Sequence, residues 1–148
     1  EFSDCMWLSI RKASRNITQA YNEEFQGLGI NITQFSVLAI LFGSGKQTIT
    51  KVAYHLGAER TTVTRAIAIL EKKKLINIVL GGDKRERLIA ISKKGTEILD
   101  LARPRWKSAQ LKIEHLLTNQ IDNLRSNLGR IHHLWVLKLL INLLIIYG

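Results

Sequence analysis

Apolar residues recur through residues 4–26 at Trp7, Leu8, Ile10, Ala13, Ile17, Tyr21 and Phe25, close to the spacings of one helical face. The pattern predicts a long helix, stopped by Gly27 and Gly29. Asn31-Ile32-Thr33-Gln34 reads as a variant capping box, with Asn31 as the cap and Gln34 reaching back to its amide. The helix it opens has a buried character, with Phe35, Val37, Leu38, Ile40, Leu41 and Phe42, and Gly43-Ser44-Gly45 closes it. Thr48 is placed to cap a short helix bearing Ile49, Val52, Ala53 and Leu56, which Gly57 breaks. A second short helix runs from about Arg60 to Lys73. Val63, Ile67 and Leu70 form its inner stripe, which leaves Arg60, Thr61, Thr64, Arg65 and Ala68 on or near the outer face.

Two apolar runs, Leu75–Leu80 and Arg87–Ile91, flank the turn Gly81-Gly82-Asp83-Lys84-Arg85-Glu86 and predict a β-hairpin. Ser92 then suits the cap of a helix from Lys93 to about Leu117, in which Pro104 predicts a kink. Thr118-Asn119 interrupts the pattern, and a last helix begins with Ile121, Leu124, Leu128, Ile131 and Leu134. From Trp135 to Tyr147 the chain is apolar nearly all round, with Lys138 and Asn142 as interruptions. The stretch Leu134–Tyr147 is shorter than the about 20 apolar residues a membrane span needs, so burial against a second copy of the chain is the simplest expectation. Taken together, these elements outline a mainly α fold with a small β-hairpin wing. Two helices meet at a glycine turn, and a hairpin with a basic tip follows them, the pattern of a winged helix-turn-helix.

Charge sharpens this outline. The formal net charge is +10, and it is unevenly placed. Residues 1–47 are balanced, residues 48–95 carry eleven Lys and Arg against four carboxylates, and residues 96–148 carry seven against four. Concentration of positive charge on the helix-turn-helix and hairpin favours a nucleic-acid partner over general solubility. One cysteine excludes an internal disulfide, and a reducing cytoplasm is the expected compartment. No glycine-rich phosphate loop, nucleophile motif or zinc motif stands out, so no enzyme activity, metal or cofactor is expected. His132-His133 is no metal signature, because adjacent helical residues point about 100° apart.

The order of elements and several stretches together resemble the MarR family of bacterial transcription regulators. These are Asn31–Leu38, Val52–Gly57, Thr62–Lys73, Leu75-Ile76, Asp83-Lys84-Arg85 and Ile91–Gly95. The resemblance spans roughly residues 5 to 145. It implies a single domain over 1–148, with a winged helix-turn-helix DNA-binding lobe at 30–95 and helical dimerisation regions at 4–26 and 96–148. It also implies a homodimer that reads a pseudo-palindrome in double-stranded DNA, usually as a repressor, often relieved by a small aromatic ligand or an oxidant. Two positions depart from the family pattern. Lys74 stands where a helix-stopping Gly is usual, which places a lysine in left-handed backbone at a cost of about 1 kcal/mol. Ile78 replaces an Arg often found in the first wing strand.

Carried onto this sequence, the pattern assigns Thr64 and Arg65 to the DNA-facing side of the recognition helix, with Arg60, Thr61 and Thr62 near its N-terminus. Arg85 matches the wing-tip residue that enters the minor groove, braced by Asp83. Lys84 and Arg87 are expected at phosphates. Lys72, Lys73 and Lys74 read as a solvated charge run at a helix C-terminus. Cys5 is a candidate redox sensor, because some members of the family sense peroxides through a Cys early in the first helix; its bland role is a small apolar residue in the dimer core. Trp7, Trp106 and Trp135 are expected in core packing, with a ligand pocket between dimer helices and DNA lobe as their other role. The rival readings are a redox switch triggered by Cys5, a winged helix used for protein–protein contact, and membrane association through the apolar tail.

Overall fold

The computed structural model describes residues 4–83 and 86–133. Their order is α1 (Met6–Glu24), α2 (Ile32–Ser44), α3 (Ile49–Leu56), α4 (Arg60–Lys72), β1 (Ile76–Leu80), β2 (Arg87–Ile91), α5 (Lys93–Leu117), a 3-10 turn (Thr118–Gln120) and α6 (Ile121–His132). The predicted tail Leu134–Tyr147, with Trp135, lies outside the described residues. Contacts divide the chain into one unit over residues 1–110 and another over 111–148.

Local chemistry sets most of the boundaries in the first unit. The Asn31 side chain accepts from the Gln34 amide at 2.9 Å, and the Gln34 side chain accepts from the Asn31 amide at 3.2 Å. Two otherwise orphaned donors at the start of α2 are thus satisfied together. Thr48 caps α3 by accepting from the Lys51 amide at 3.3 Å. At Gly57 the backbone turns left-handed (φ 58°, ψ 32°), and the Ala58 amide reaches back to the Ala53 carbonyl at 3.1 Å. A side chain at Gly57 would meet the steric cost of that conformation.

The core collects the inward faces of α2, α3, α4, the hairpin and α5. Val37, Leu38, Val52, Val63 and Leu70 are fully buried there, with Ile76, Ile89 and Leu99 nearly so. Val63, Ile67 and Leu70 fix α4 to this core, each worth about 1.5–3 kcal/mol when buried. The strands pair antiparallel, with Ile76 opposite Ile91 and Leu80 opposite Arg87. One further pairing was not visible in the sequence. Gln47, just ahead of α3, exchanges two backbone bonds with Ile89, at 3.0 and 2.8 Å, and so ties the start of the helix-turn-helix to the wing.

Lys74 has φ 61°, the left-handed backbone that the missing glycine predicted. The Leu75 amide bonds the Leu70 carbonyl at 2.9 Å and the Lys74 amide bonds Glu71 at 2.8 Å, which closes the helix as a glycine would. Left-handed backbone costs a side-chain-bearing residue about 1–2 kcal/mol, and glycine adds back roughly 0.5–1 kcal/mol of unfolded-state entropy. Lys74→Gly is therefore expected to stabilise the fold by about 0.5–1 kcal/mol. A rise in urea midpoint with unchanged slope checks this, and a fall contradicts it.

α1 departs from the sequence expectation. Tyr21 and Phe25 are buried, but Trp7 is 63% exposed and Ile17 is exposed too. Trp7 is therefore not packed in the core of the described residues; its ring instead carries the Arg11 guanidinium at 5.3 Å. The stripe at the start of α1 is apolar without being covered by this chain's own described residues. At its C-terminal end α1 is fastened to α5, through the Tyr21 hydroxyl on the Gln110 side chain and through Arg105 on the Glu24 carbonyl at 3.0 Å. α5 remains one continuous helix through Pro104.

In the second unit, Thr118 has φ 49° and marks the interruption that Thr118-Asn119 predicted. Arg125 bridges Glu114 at 2.8 Å and Asp122 at 3.4 Å, which links the end of α5 to α6. Leu116, Leu128 and Ile131 are exposed. Among the described residues, no helix is long and apolar enough to cross a membrane.

Candidate nucleic-acid interface

α4 separates two chemistries around one axis. Its inner stripe is apolar and buried, and Arg60, Thr61, Thr62, Thr64, Arg65 and Ala68 are all exposed, as the periodicity requires. Among the described residues no ion pair holds Arg65, so its guanidinium fork is available to a ligand. The Thr64 hydroxyl donates to the Arg60 carbonyl at 2.8 Å. Its one proton is thereby used, leaving an acceptor lone pair and a methyl group to face outward. Such a face suits a base amino group or a thymine methyl.

The fold brings a second helix start beside this face. A cleft of about 200 Å³ is lined by the cap Asn31 and by Thr33 of α2, and by Thr62, Arg65 and Ile69 from α4. Thr33 is a candidate contact that the sequence reading passed over. Its signal was its place two residues after the cap Asn31, where first-turn helix amides remain open to a ligand.

The other predicted residues fall on separate elements. Arg87 opens β2, exposed and opposite Leu80. Lys84 and Arg85 lie outside the described residues, between the Asp83 carbonyl and the Glu86 amide that bonds it at 2.8 Å. Ile78, in the place of the usual Arg, is part of β1 and exposed. Cys5 is half-buried at the N-cap of α1 and belongs to neither α4 nor the wing. Of the run Lys72–Lys74, Lys73 is not merely solvated: it donates to the Gly29 carbonyl, and its own carbonyl accepts from Lys94 at 3.1 Å. Among the described residues no cluster of His, Cys, Asp or Glu could hold a metal ion.

A groove of about 620 Å³ opens on the other side of α2, between α2, the end of α3 and α5. Phe35 and Trp106 stack across it, with ring centroids 6.3 Å apart and planes 15° from parallel. Arg103 stands at the same groove, its guanidinium 4.8 Å from the Phe42 ring and 3.4 Å from Asp100. Of the two tryptophans among the described residues, Trp106 lines this groove and Trp7 does not.

Residues 30–86, which hold the glycine turn, α4 and the first half of the wing, match the model described as MarR family. The same order of helices and hairpin recurs in the M. tuberculosis transcriptional regulator MosR. That structure superposes with a TM-score of 0.78 and 29% identity, over 88% of this chain and 97% of that one. The MarR match thus falls on the helix-turn-helix and the first wing strand. MosR in complex with DNA superposes with a TM-score of 0.76, again at 29% identity, covering 86% of this chain and 96% of that one. In sequence, 84 residues of the chain are 34% identical to the uncharacterized HTH-type transcriptional regulator YwoH of Bacillus subtilis. That match takes in 57% of this chain and spans 61% of the length of YwoH.

Proposed function

We propose that this protein is a member of the MarR family and a sequence-specific double-stranded DNA-binding transcription regulator, a repressor that binds a pseudo-palindromic operator as a homodimer. The observation that carries this reading is the outer face of α4, where Arg60, Thr61, Thr62, Thr64 and Arg65 stand exposed on a helix locked to the core by its other side. Arg65 and Thr64 read base edges in the major groove, while Arg60, Thr61, Thr62 and Thr33 position the backbone. Lys84, Arg85 and Arg87 bring the wing to phosphates and the minor groove. Residues 1–148 act as one domain, with 30–95 reading DNA and with 4–26 and 96–148 supplying the dimer contact. The exposed Trp7, Leu116, Leu128 and Ile131 support the last point, since large apolar side chains in water call for a partner surface.

Titration of a palindromic duplex at rising salt tests the DNA reading. Six or more neutralised phosphates imply a loss of about a thousandfold in affinity between 50 and 200 mM salt. Arg87→Ala is expected to lower the log–log slope by about 1. Affinity that is flat in salt contradicts the proposal.

The groove supports a second part of the reading, a small planar aromatic carboxylate as effector. Its ring would lie against the stacked Phe35 and Trp106, and its carboxylate would meet Arg103. Arg103 is half exposed, which limits its share to about 1 kcal/mol. Arg103→Ala is therefore expected to weaken benzoate binding about fivefold, read by tryptophan fluorescence. Equal affinity in both proteins contradicts this assignment.

A further inference from the structure

The end of the recognition helix is tied to the start of α5 through one side chain that works in two directions. The last carbonyls of any helix lack partners within it. Here the carbonyls that follow α4 are claimed in turn by Ser92, just ahead of α5, and by Lys94 in its first turn. The Lys73 carbonyl accepts from Lys94 Nζ at 3.1 Å, the Lys74 carbonyl from Ser92 Oγ at 2.8 Å, and the Leu75 carbonyl from the Ser92 amide at 3.0 Å. The same Ser92 Oγ accepts from the Gly95 amide at 3.0 Å and so caps α5. A hydroxyl has one proton and two lone pairs, so Ser92 satisfies both helix ends at once.

We propose that Ser92 is a positioning residue for DNA recognition, the joint through which α5 holds the recognition helix at a fixed orientation. This rests on the operator-binding reading above. α5 continues for 25 residues, about 37 Å, into the region assigned to the dimer contact. Any slack where α5 meets α4 is slack in the separation of the two recognition helices. A dimer needs that separation to match one turn of DNA, about 34 Å.

The chemistry of residue 92 separates this role from simple capping. Aspartate caps a helix as well as serine but carries no proton for the Lys74 carbonyl. Threonine keeps both donor and acceptor, and alanine keeps neither. The full-length wild type, Ser92→Thr, Ser92→Asp and Ser92→Ala should be titrated with two palindromic duplexes that differ by one base pair between half-sites. That insertion shifts one half-site by about 3.4 Å and rotates it by about 35°.

Wild type and Ser92→Thr are expected to lose about tenfold in affinity on the insertion. Ser92→Asp and Ser92→Ala are expected to bind both duplexes within about twofold, with the Tm of Ser92→Asp near that of wild type. Wild-type spacing discrimination in Ser92→Asp overturns the proposal and leaves Ser92 a helix cap. A wild type that discriminates spacing separates that failure from a failure of the operator reading. A wild type that binds neither duplex removes the operator reading, and the joint's role with it.

Discussion

Replacing Gly95 by alanine is expected to destabilise the protein by about 2–3 kcal/mol. An alanine Cβ would stand 2.1 Å from the Leu75 carbonyl oxygen and 2.9 Å from Ile91 Cγ1. The first of these is a backbone atom, already held by the Ser92 amide, and no rotamer change moves it away. Relief therefore requires α5 to lift from the α4–β1 junction. Overpacking of this kind costs about 1–3 kcal/mol and sometimes more. Alanine recovers up to about 1 kcal/mol of helix propensity, too little to reverse the sign. Urea denaturation of wild type and Gly95→Ala measures the difference, and an equal or higher midpoint for the variant contradicts the packing described.

Arg65→Ala is expected to leave stability unchanged and to weaken operator binding by about 1–3 kcal/mol, roughly five- to 150-fold. The two halves of this prediction follow from one geometry. Arg65 lies on the exposed side of α4, beside Thr62 and Thr33, and buries nothing in the core. Truncation therefore opens no cavity, and surface changes of this type stay within about 0.5 kcal/mol. If the guanidinium reads a guanine, relaxed specificity at that base pair accompanies the loss; if it meets phosphate, affinity falls alike on all sequences. Unaltered binding by both Arg65→Ala and Arg85→Ala sinks the assignment of this face.

What could be read from the sequence was what neighbours in the chain decide. The Asn31–Gln34 box, the Thr48 cap and the left-handed Gly57 each depend on a few adjacent residues, and each is present. Lys74 belongs with them: the helix had to stop there, and the chain takes φ 61° without a glycine to ease it. The alternation of faces on α4 was legible for the same reason, since a 3.6-residue period sorts Val63 from Thr64. What escaped depends on residues far apart in sequence. Gln47 pairs with Ile89 across 42 positions of chain, and nothing near Gln47 announces it. Gly95 read as part of a family motif, but its reason is the Leu75 carbonyl pressed against it. Periodicity also cannot say who covers an apolar face, which is why Trp7 was expected in the core and stands exposed instead.

The central claim, that two copies of α4 read two halves of one DNA site, is tested most directly by selecting bound duplexes from a random DNA pool with the full-length protein. The account predicts enrichment of a palindrome whose half-site centres lie about 10 base pairs apart, bound by two chains. Enrichment of no sequence, or of a lone half-site bound by one chain, would contradict it, and failure to retain any duplex at low salt would favour a protein partner for this winged helix instead.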